Sequence, residues 1–439
     1  MTLDIYSINR DGLVPEQYAL PGGKQLLVFP DDNIKLTKVD FIFEAGSAYQ
    51  QKLLQAGAVN QLVGISTPHH SVQQIAEFID SRGVAVDRDM DLLGSTLSVY
   101  FLPKYADELF PLLREMLTET LFPRHEFDIY LSKRRQQLQS NLLRTGYVAR
   151  NLFYRALYGD KHPFGAYAVP ADVDKLSLQD VTDYYQSRYP LQNAVFQLAG
   201  YVDDRLLDSY CRSFGGMNIN ESLGSEVPTS EIGGILSWDD LAPSPRPAVR
   251  KRRRIGSAVQ STIRIGRLLP WRWDDSRYTD FMVLNTLLGG YFGSRLMSNI
   301  REDKGYTYGI YSQTDVVRGT TIFYITADVN GDATEEAVKE IYKELQRLCD
   351  EPVSDSELAL VKNYMVGDFM RGIDGIFERS DRWRMQQMTG ATPLFDQHYC
   401  DSVASATPDS LLETARQVFR PRDLTEIVVG DVHEAAASS

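Results

Sequence analysis

The stretch that decides the fold is Gly57-Ala58-Val59-Asn60-Gln61-Leu62-Val63-Gly64. Its apolar residues recur with helical spacing, which predicts a helix from Ala56 to Val63. Positions 60, 63 and 64 have the spacing of His-x-x-Glu-His, where one helical turn sets two imidazoles on one face to hold zinc and the Glu between them activates water. Here those places are Asn60, Val63 and Gly64. None offers an imidazole or a carboxylate, so the helix is expected without the metal site.

Upstream of this helix, Gly22-Gly23 turns the chain into two strand-like runs, Lys24 to Phe29 and Leu36 to Phe43. Downstream, helical spacing returns from Val72 to Ile79 and stops at Arg82-Gly83, followed by strand-like sequence through Val86 and from Ser95 to Phe101. Tyr105 to Leu117 and the long run Glu126 to Tyr158 read as helices, and Ala194 to Leu198 as a short strand. Polar, Gly- and Pro-containing sequence then interrupts the pattern, and the order repeats. Strand-like Ala258 to Ile265 leads to helical Tyr278 to Leu288 and Ser294 to Ile300, then to strands around Gly309 to Ser312 and Thr321 to Val329. Helices Glu335 to Cys349 and Ser354 to Gly372 and a late strand Leu424 to Val429 close the second half. The expectation is an α+β fold of two homologous domains, each an antiparallel-rich sheet packed against helices: residues 1–222, a linker over 223–247, and residues 248–439.

With 439 residues and 43% hydrophobic content the chain can bury large cores. A net charge of −13 argues against nonspecific nucleic-acid binding, which needs a basic surface. The run Arg250-Lys251-Arg252-Arg253-Arg254 lacks interleaved aromatics and reads as a solvated edge or a domain contact. Cys211, Cys349 and Cys400 are too far apart in sequence for a thiolate cluster or a CxxC pair, which suits a reduced compartment. The N-terminus has early acidic residues and no apolar h-region, and no run approaches a membrane-spanning length without charge. A cytoplasmic, non-membrane protein is expected. His69-His70 after Pro68 reads as a capping neighbourhood rather than a replacement metal site, and Gly289-Gly290 as a packing turn rather than a dinucleotide fingerprint.

Several fragments, in order and spacing, resemble the insulinase/pitrilysin zinc peptidases, in particular their short, processing-peptidase-like members. They are the helix at Gly57; Ile75-Ala76-Glu77-Phe78-Ile79 before Gly83; His162-Pro163-Phe164-Gly165; and Leu176-Ser177-Leu178-Gln179-Asp180 with Tyr184-Tyr185 and Tyr189-Pro190. The second half adds Leu284 to Gly290, Ser294-Arg295-Leu296 and Arg301-Glu302-Asp303-Lys304-Gly305-Tyr306-Thr307-Tyr308. The resemblance implies a clamshell half whose first domain normally carries zinc and whose second supplies an Arg/Tyr pair that grips substrate. Asn60, Val63 and Gly64 depart from the first role. The family's third ligand, a Glu in the long helix after Glu126, is missing too, since no Glu occurs from 127 to 220 and Lys133-Arg134-Arg135-Gln136-Gln137 stands nearby.

Arg301 and Tyr308 match the family pair. The resemblance therefore implies a non-catalytic subunit, without cofactor of its own, that lends this pair in trans to a homologous zinc-bearing subunit hydrolysing peptides. Neither nucleic acid nor membrane is an expected partner. The alternative is a metal-free scaffold or peptide-binding homodimer with no peptidase role, and an autonomous enzyme with a different site is a third reading.

Overall fold

The computed structural model describes residues 14–20, 24–214, 222–223, 243–244, 246–256, 258–271, 275–317, 320–389 and 395–432. The linker read at 223–247 falls largely outside the described residues. Two sheets organise the rest. The first contains β1 (Glu16–Leu20), β2 (Lys24–Pro30), β3 (Thr37–Phe43), β4 (Ala85–Met90), β5 (Ser95–Phe101), β6 (Val195–Gly200) and the short β7 (Ser222–Leu223), in the order β4-β5-β3-β6-β2-β1-β7. The second contains β8 (Arg250–Arg254), β9 (Gln260–Leu269), β10 (Thr307–Val317), β11 (Thr320–Asn330) and β12 (Thr425–Gly430), in the order β10-β11-β9-β12-β8. In both, three central strands run antiparallel and one parallel neighbour follows, β2 beside β6 and β8 beside β12. The second sheet thus repeats the β4-β5-β3-β6-β2 part of the first.

Among the described residues, the first half holds the helices α1 (Gln55–Leu62), α2 (Val72–Ser81), α3 (Ala106–Thr118), α4 (Arg124–Asn141), α5 (Thr145–Tyr158), α6 (Leu178–Arg188) and α7 (Asp204–Phe214). The second half holds α8 (Ser276–Asn285), α9 (Thr334–Asp350), α10 (Asp355–Arg371), α11 (Ile376–Thr389), α12 (Phe395–Ser405) and α13 (Pro408–Val418). The long helix expected from Glu126 to Tyr158 is two helices, broken at 142–144. The break lets the two parts serve different sheets. α4 lies beside α1, whereas α5 packs across β9 and β12 of the second sheet.

α11 makes the reciprocal move, lying on β2 and β6 of the first sheet. Each half therefore covers one sheet face with a helix from the other half. The inner face of the first sheet, with Val39, Phe41 and Phe43 of β3, packs in one core with α1, α3 and α5, and that core continues into Ile322, Tyr324, Ile427 and Val429 of the second sheet. On the opposite face, Leu27, Phe29 and Ala199 meet Ile376 and Trp383 of α11. A separate core binds α8, α9 and α13 to the other face of the second sheet.

All seven residues of β3 are buried, including the charged Lys38 and Asp40. Alternation along the strand turns these two toward α11. Lys38 Nζ sits 3.0 Å from Asp40 and 2.6 Å from Asp381 of α11, with 1% of its side chain exposed. Burial alone would lower the lysine pKa, but the two carboxylates hold it above its ordinary value. Burial outweighs the lysine at Asp40, whose carboxyl is pushed up. Gln197 of β6 donates to the Ser380 carbonyl at 2.7 Å and Arg384 to the Thr96 hydroxyl at 2.9 Å, completing a polar seam between halves. Replacing Lys38 with Met strands Asp40 in the core and is expected to cost about 3–5 kcal/mol of unfolding free energy. Adding Asp40→Asn removes the stranded charge and should recover a large part of that loss. Urea titration of the three proteins measures both effects; a Lys38→Met protein as stable as the parent would sink this account of the seam.

Candidate functional site

α1 is held in place by residues that the family-like fragments contribute. Ser177 caps α6 in a reciprocal box with Asp180. Asp180 then pairs with Lys52 at 2.8 Å and offers its carbonyl to the Gln55 amide at 2.7 Å, at the start of α1. The tyrosines that follow act as tethers: Tyr184 donates to the Gly46 carbonyl, Tyr185 to that of Leu117, and Tyr189 to the Ser95 hydroxyl. His162 stacks on Tyr158 and accepts from the Phe164 amide, and a Cβ at Gly165 would overlap the Gly159 carbonyl, so this fragment is a packed turn.

At the first motif position, Asn60 is buried with both amide hydrogens in use, one on the Asp89 carbonyl at 3.0 Å and one on Ser95 Oγ at 2.9 Å. Its oxygen accepts from Gln61 at 3.2 Å. Asn60 thereby pins α1 to the β4–β5 hairpin. The helix stops at Leu62, one residue earlier than its apolar pattern predicts. Val63 is extended, and Gly64 is left-handed at φ 71°, with its amide donating to Thr120 Oγ1 at 3.2 Å. A Cβ at Gly64 would lie 3.1 Å from that of Met116. Positions 60, 63 and 64 consequently do not share a helical face here.

Arg88 of β4 donates to the Val63 carbonyl at 3.2 Å, so a guanidinium occupies the C-terminal end of α1, where cations are favoured. Burial lowers its pKa from the ordinary arginine value. Farther along, Arg134 bonds Gln137 and Arg135 pairs with Asp174. With an engaged amide, a valine, a glycine and basic side chains, these residues do not fit zinc.

His69 meets Glu119, the residue that caps the end of α3, at 3.6 Å, and His70 meets Glu115 of α3 at 2.9 Å. Sequence reading missed this pairing of the histidines with two acids one turn apart. Burial would raise the Glu115 carboxyl, but hydrogen bonds from Thr67 and His70 hold it below the ordinary range. The arrangement braces the loop before the Ser71 cap of α2, and no group of three or more His, Cys, Asp or Glu among the described residues could hold a metal.

Arg301 and Tyr308 lie on two irregular elements of the second half. Residues Met297–Asp303 form a π-helical segment, a rare geometry often found at functional positions. Leu296, Met297 and Ile300 bury one side of it, while Asn299 donates to Glu340 at 3.0 Å and Glu344 at 2.8 Å on α9. Just before it, Arg295 forms a two-pronged pair with Glu357 of α10, both bonds at 2.8 Å. Gly305, left-handed at φ 68°, ends the segment as its amide donates to the Arg301 carbonyl.

β10 then begins with a bulge. Pairing steps from Thr307 with Val329 to Ile310 with Ala327, so Tyr308 and Gly309 together oppose Asp328. Thr307 fixes the kink, accepting from the Gly309 amide at 3.1 Å and donating to the Asp328 carbonyl at 2.6 Å. Tyr308 is left 92% exposed. Arg301 has no carboxylate partner among the described residues; its guanidinium lies 4.5 Å over the ring of Phe292. Neither the stacked Phe292 nor the acids of α9 and α10 that brace the segment were singled out from sequence.

Residues 175–365 match the family model described as the Peptidase M16 inactive domain. Over 434 residues the chain is 22% identical to an uncharacterised zinc protease of Streptomyces coelicolor, covering 95% of this chain and 90% of that protein. It is 22% identical over 343 residues to a non-peptidase homolog of Helicobacter pylori, covering 75% of this chain and 74% of the homolog. A solved peptidase M16 inactive domain from Pseudomonas fluorescens shares the fold, with a TM-score of 0.79 at 17% identity over 96% of this chain and 99% of that one. Two sheet-and-helix regions of that architecture are what the chain forms. Over residues 175–365 the chain is thus similar to the Peptidase M16 inactive domain, and among its described residues no group of three or more His, Cys, Asp or Glu could hold a metal.

Proposed function

We propose that this chain is the zinc-less subunit of a two-subunit peptidase, in which a homologous subunit holds the zinc and this one supplies Arg301 and Tyr308 to the peptide. One observation carries the reading. The polar groups at position 60 are consumed by internal hydrogen bonds, whereas the Arg301 guanidinium lies over an exposed phenylalanine with no acidic partner among the described residues, and Tyr308 stands in solvent.

An arginine fork suits a peptide carbonyl or carboxylate, and a tyrosine hydroxyl can donate to an oxygen on which charge develops. Chemistry at zinc belongs to the partner in this reading. The two domains, 1–222 and 248–439, would form one half of a clamshell around an unfolded peptide. Cys211, Cys349 and Cys400, none of them in a disulfide, support a reducing, cytoplasmic setting. The alternative, a metal-free homodimer that binds peptides or acts as a scaffold, differs in subunit composition and in its indifference to Arg301.

In the complex isolated through a tag on this chain, Tyr308→Phe and Arg301→Ala should each lower kcat for an unstructured peptide by about 10²–10³, the usual loss for one oxyanion-type donor. Native mass spectrometry should show the complex intact. Undiminished turnover in Arg301→Ala, or a tagged chain that returns only as a homodimer, refutes the proposal.

The metal position itself should resist repair. Asn60→His, Val63→Glu and Gly64→His combined place a carboxyl in the core and a side chain at a left-handed φ, so stability should fall by more than about 2 kcal/mol. Zinc content by plasma mass spectrometry is expected to stay well below one per chain, and a fully zinc-loaded triple variant of parental stability would contradict that.

A further inference from the structure

Phe292 is 61% exposed on the turn between two π-helical segments, Thr286–Gly290 and Met297–Asp303. The turn that carries it is braced on both sides. Tyr291, the residue before it, packs its ring at a tilt against Tyr364 of α10, centroids 5.0 Å apart, and the Ser294 amide donates back to the Tyr291 carbonyl at 3.1 Å. On the other side of the turn, Gly289 packs so closely on β10 that a Cβ would come within 2.6 Å of the Ser312 amide. Both feet of the turn are fixed, and Phe292 between them reaches the Arg301 guanidinium at 4.5 Å.

Stacking engages the face of a guanidinium and leaves its in-plane N–H donors unused. An exposed arginine on a flexible stem otherwise samples many rotamers, and that freedom must be surrendered whenever a peptide is gripped. Arg295 and Asn299 fix the backbone under Arg301 through Glu357, Glu340 and Glu344, and the Phe292 ring lies against its guanidinium.

We infer that Phe292 is a positioning residue for Arg301: its ring holds the guanidinium flat, with the donor edge free for a peptide carbonyl, before substrate arrives. This rests on the proposed role of Arg301. It adds a requirement for an aromatic platform nine residues upstream, which an aliphatic side chain of similar bulk does not meet.

The test compares Phe292→Ala, Phe292→Leu and Phe292→Trp in the complex isolated through a tag on this chain, with an internally quenched unstructured peptide as substrate. Alanine and leucine should each lower kcat/KM by about two- to five-fold, the size of an exposed cation–π contact, while tryptophan retains the parental value. The loss should appear mainly in KM, because Arg301 remains available once captured. In an Arg301→Ala background the Phe292→Ala change should have no further effect. Thermal melting should be unaltered in the single variants, given the exposure of the ring.

If Phe292→Leu matches the parent, or Phe292→Ala costs as much without Arg301 as with it, the platform is refuted while the role of Arg301 stands. If Arg301→Ala itself leaves turnover unchanged, or the tagged chain brings down no peptide turnover, the platform falls together with the reading beneath it.

Discussion

Lys38 carries a charge into the middle of the first sheet, and the molecule is arranged around neutralising it. One carboxylate comes from its own strand and the other from α11, more than 340 positions later in the chain. An ammonium in that place is tolerable only when the distant helix is seated, so this contact links completion of the first sheet to completion of the second half. The reciprocal placement of α5 on the second sheet makes the dependence mutual. Two sheets with the same strand plan are thereby fastened by side chains that neither contains alone.

Much of this plan is legible where the pattern is local. β2, β3, β5 and β12 and helices such as α9 and α10 follow from alternation and helical spacing, because their own apolar pattern marks the face to be buried wherever its cover comes from. Other elements have their causes far away. α11 buries Ile376, Ser380 and Trp383, while Asp381 and Arg384 beside them take partners on the first sheet, so its sequence has no clean apolar stripe. β8 is a strand of five cations. Its place at a sheet edge lets Arg252 reach Glu335 and Glu426 while Lys251 and Arg253 remain in water, and charge on such an edge discourages pairing with another chain. Leu142 and Leu143 continue an apolar pattern across the gap between α4 and α5, and Val63 does the same past the end of α1. Val63 stays buried where the helix ends whereas Leu143 stands in water, so an apolar pattern alone does not locate either break.

The two family-like sites have opposite hydrogen-bond economies. At Asn60 every polar group is answered from within, by a carbonyl of β4, a hydroxyl of β5 and a neighbouring amide; the tyrosine that shares that hydroxyl draws α6 into the same network. A site so completed has become a structural joint. Around Arg301, Asn299 and Arg295 bond Glu340, Glu344 and Glu357, while the Arg301 guanidinium lies over an aromatic ring and Tyr308 stands in solvent. Arg301 and Tyr308 could be picked out in the sequence because they sit in a recognisable fragment. The support beneath them could not, since its acids lie on α9 and α10 and its aromatic platform on a separate turn.

The crossed helices also set the order in which the chain can finish folding as it leaves the ribosome. Ala149, Leu152 and Phe153 of α5 share a core with Ile427 and Val429 of β12, among the last residues described, so this apolar face emerges long before its cover exists. The outer face of the first sheet, with Leu27 and Phe29, likewise waits for Ile376 and Trp383. Synthesis of the roughly 270 residues from Phe153 to Ile427 takes on the order of ten seconds or more. A nascent first half therefore presents apolar surface on two sides for that interval.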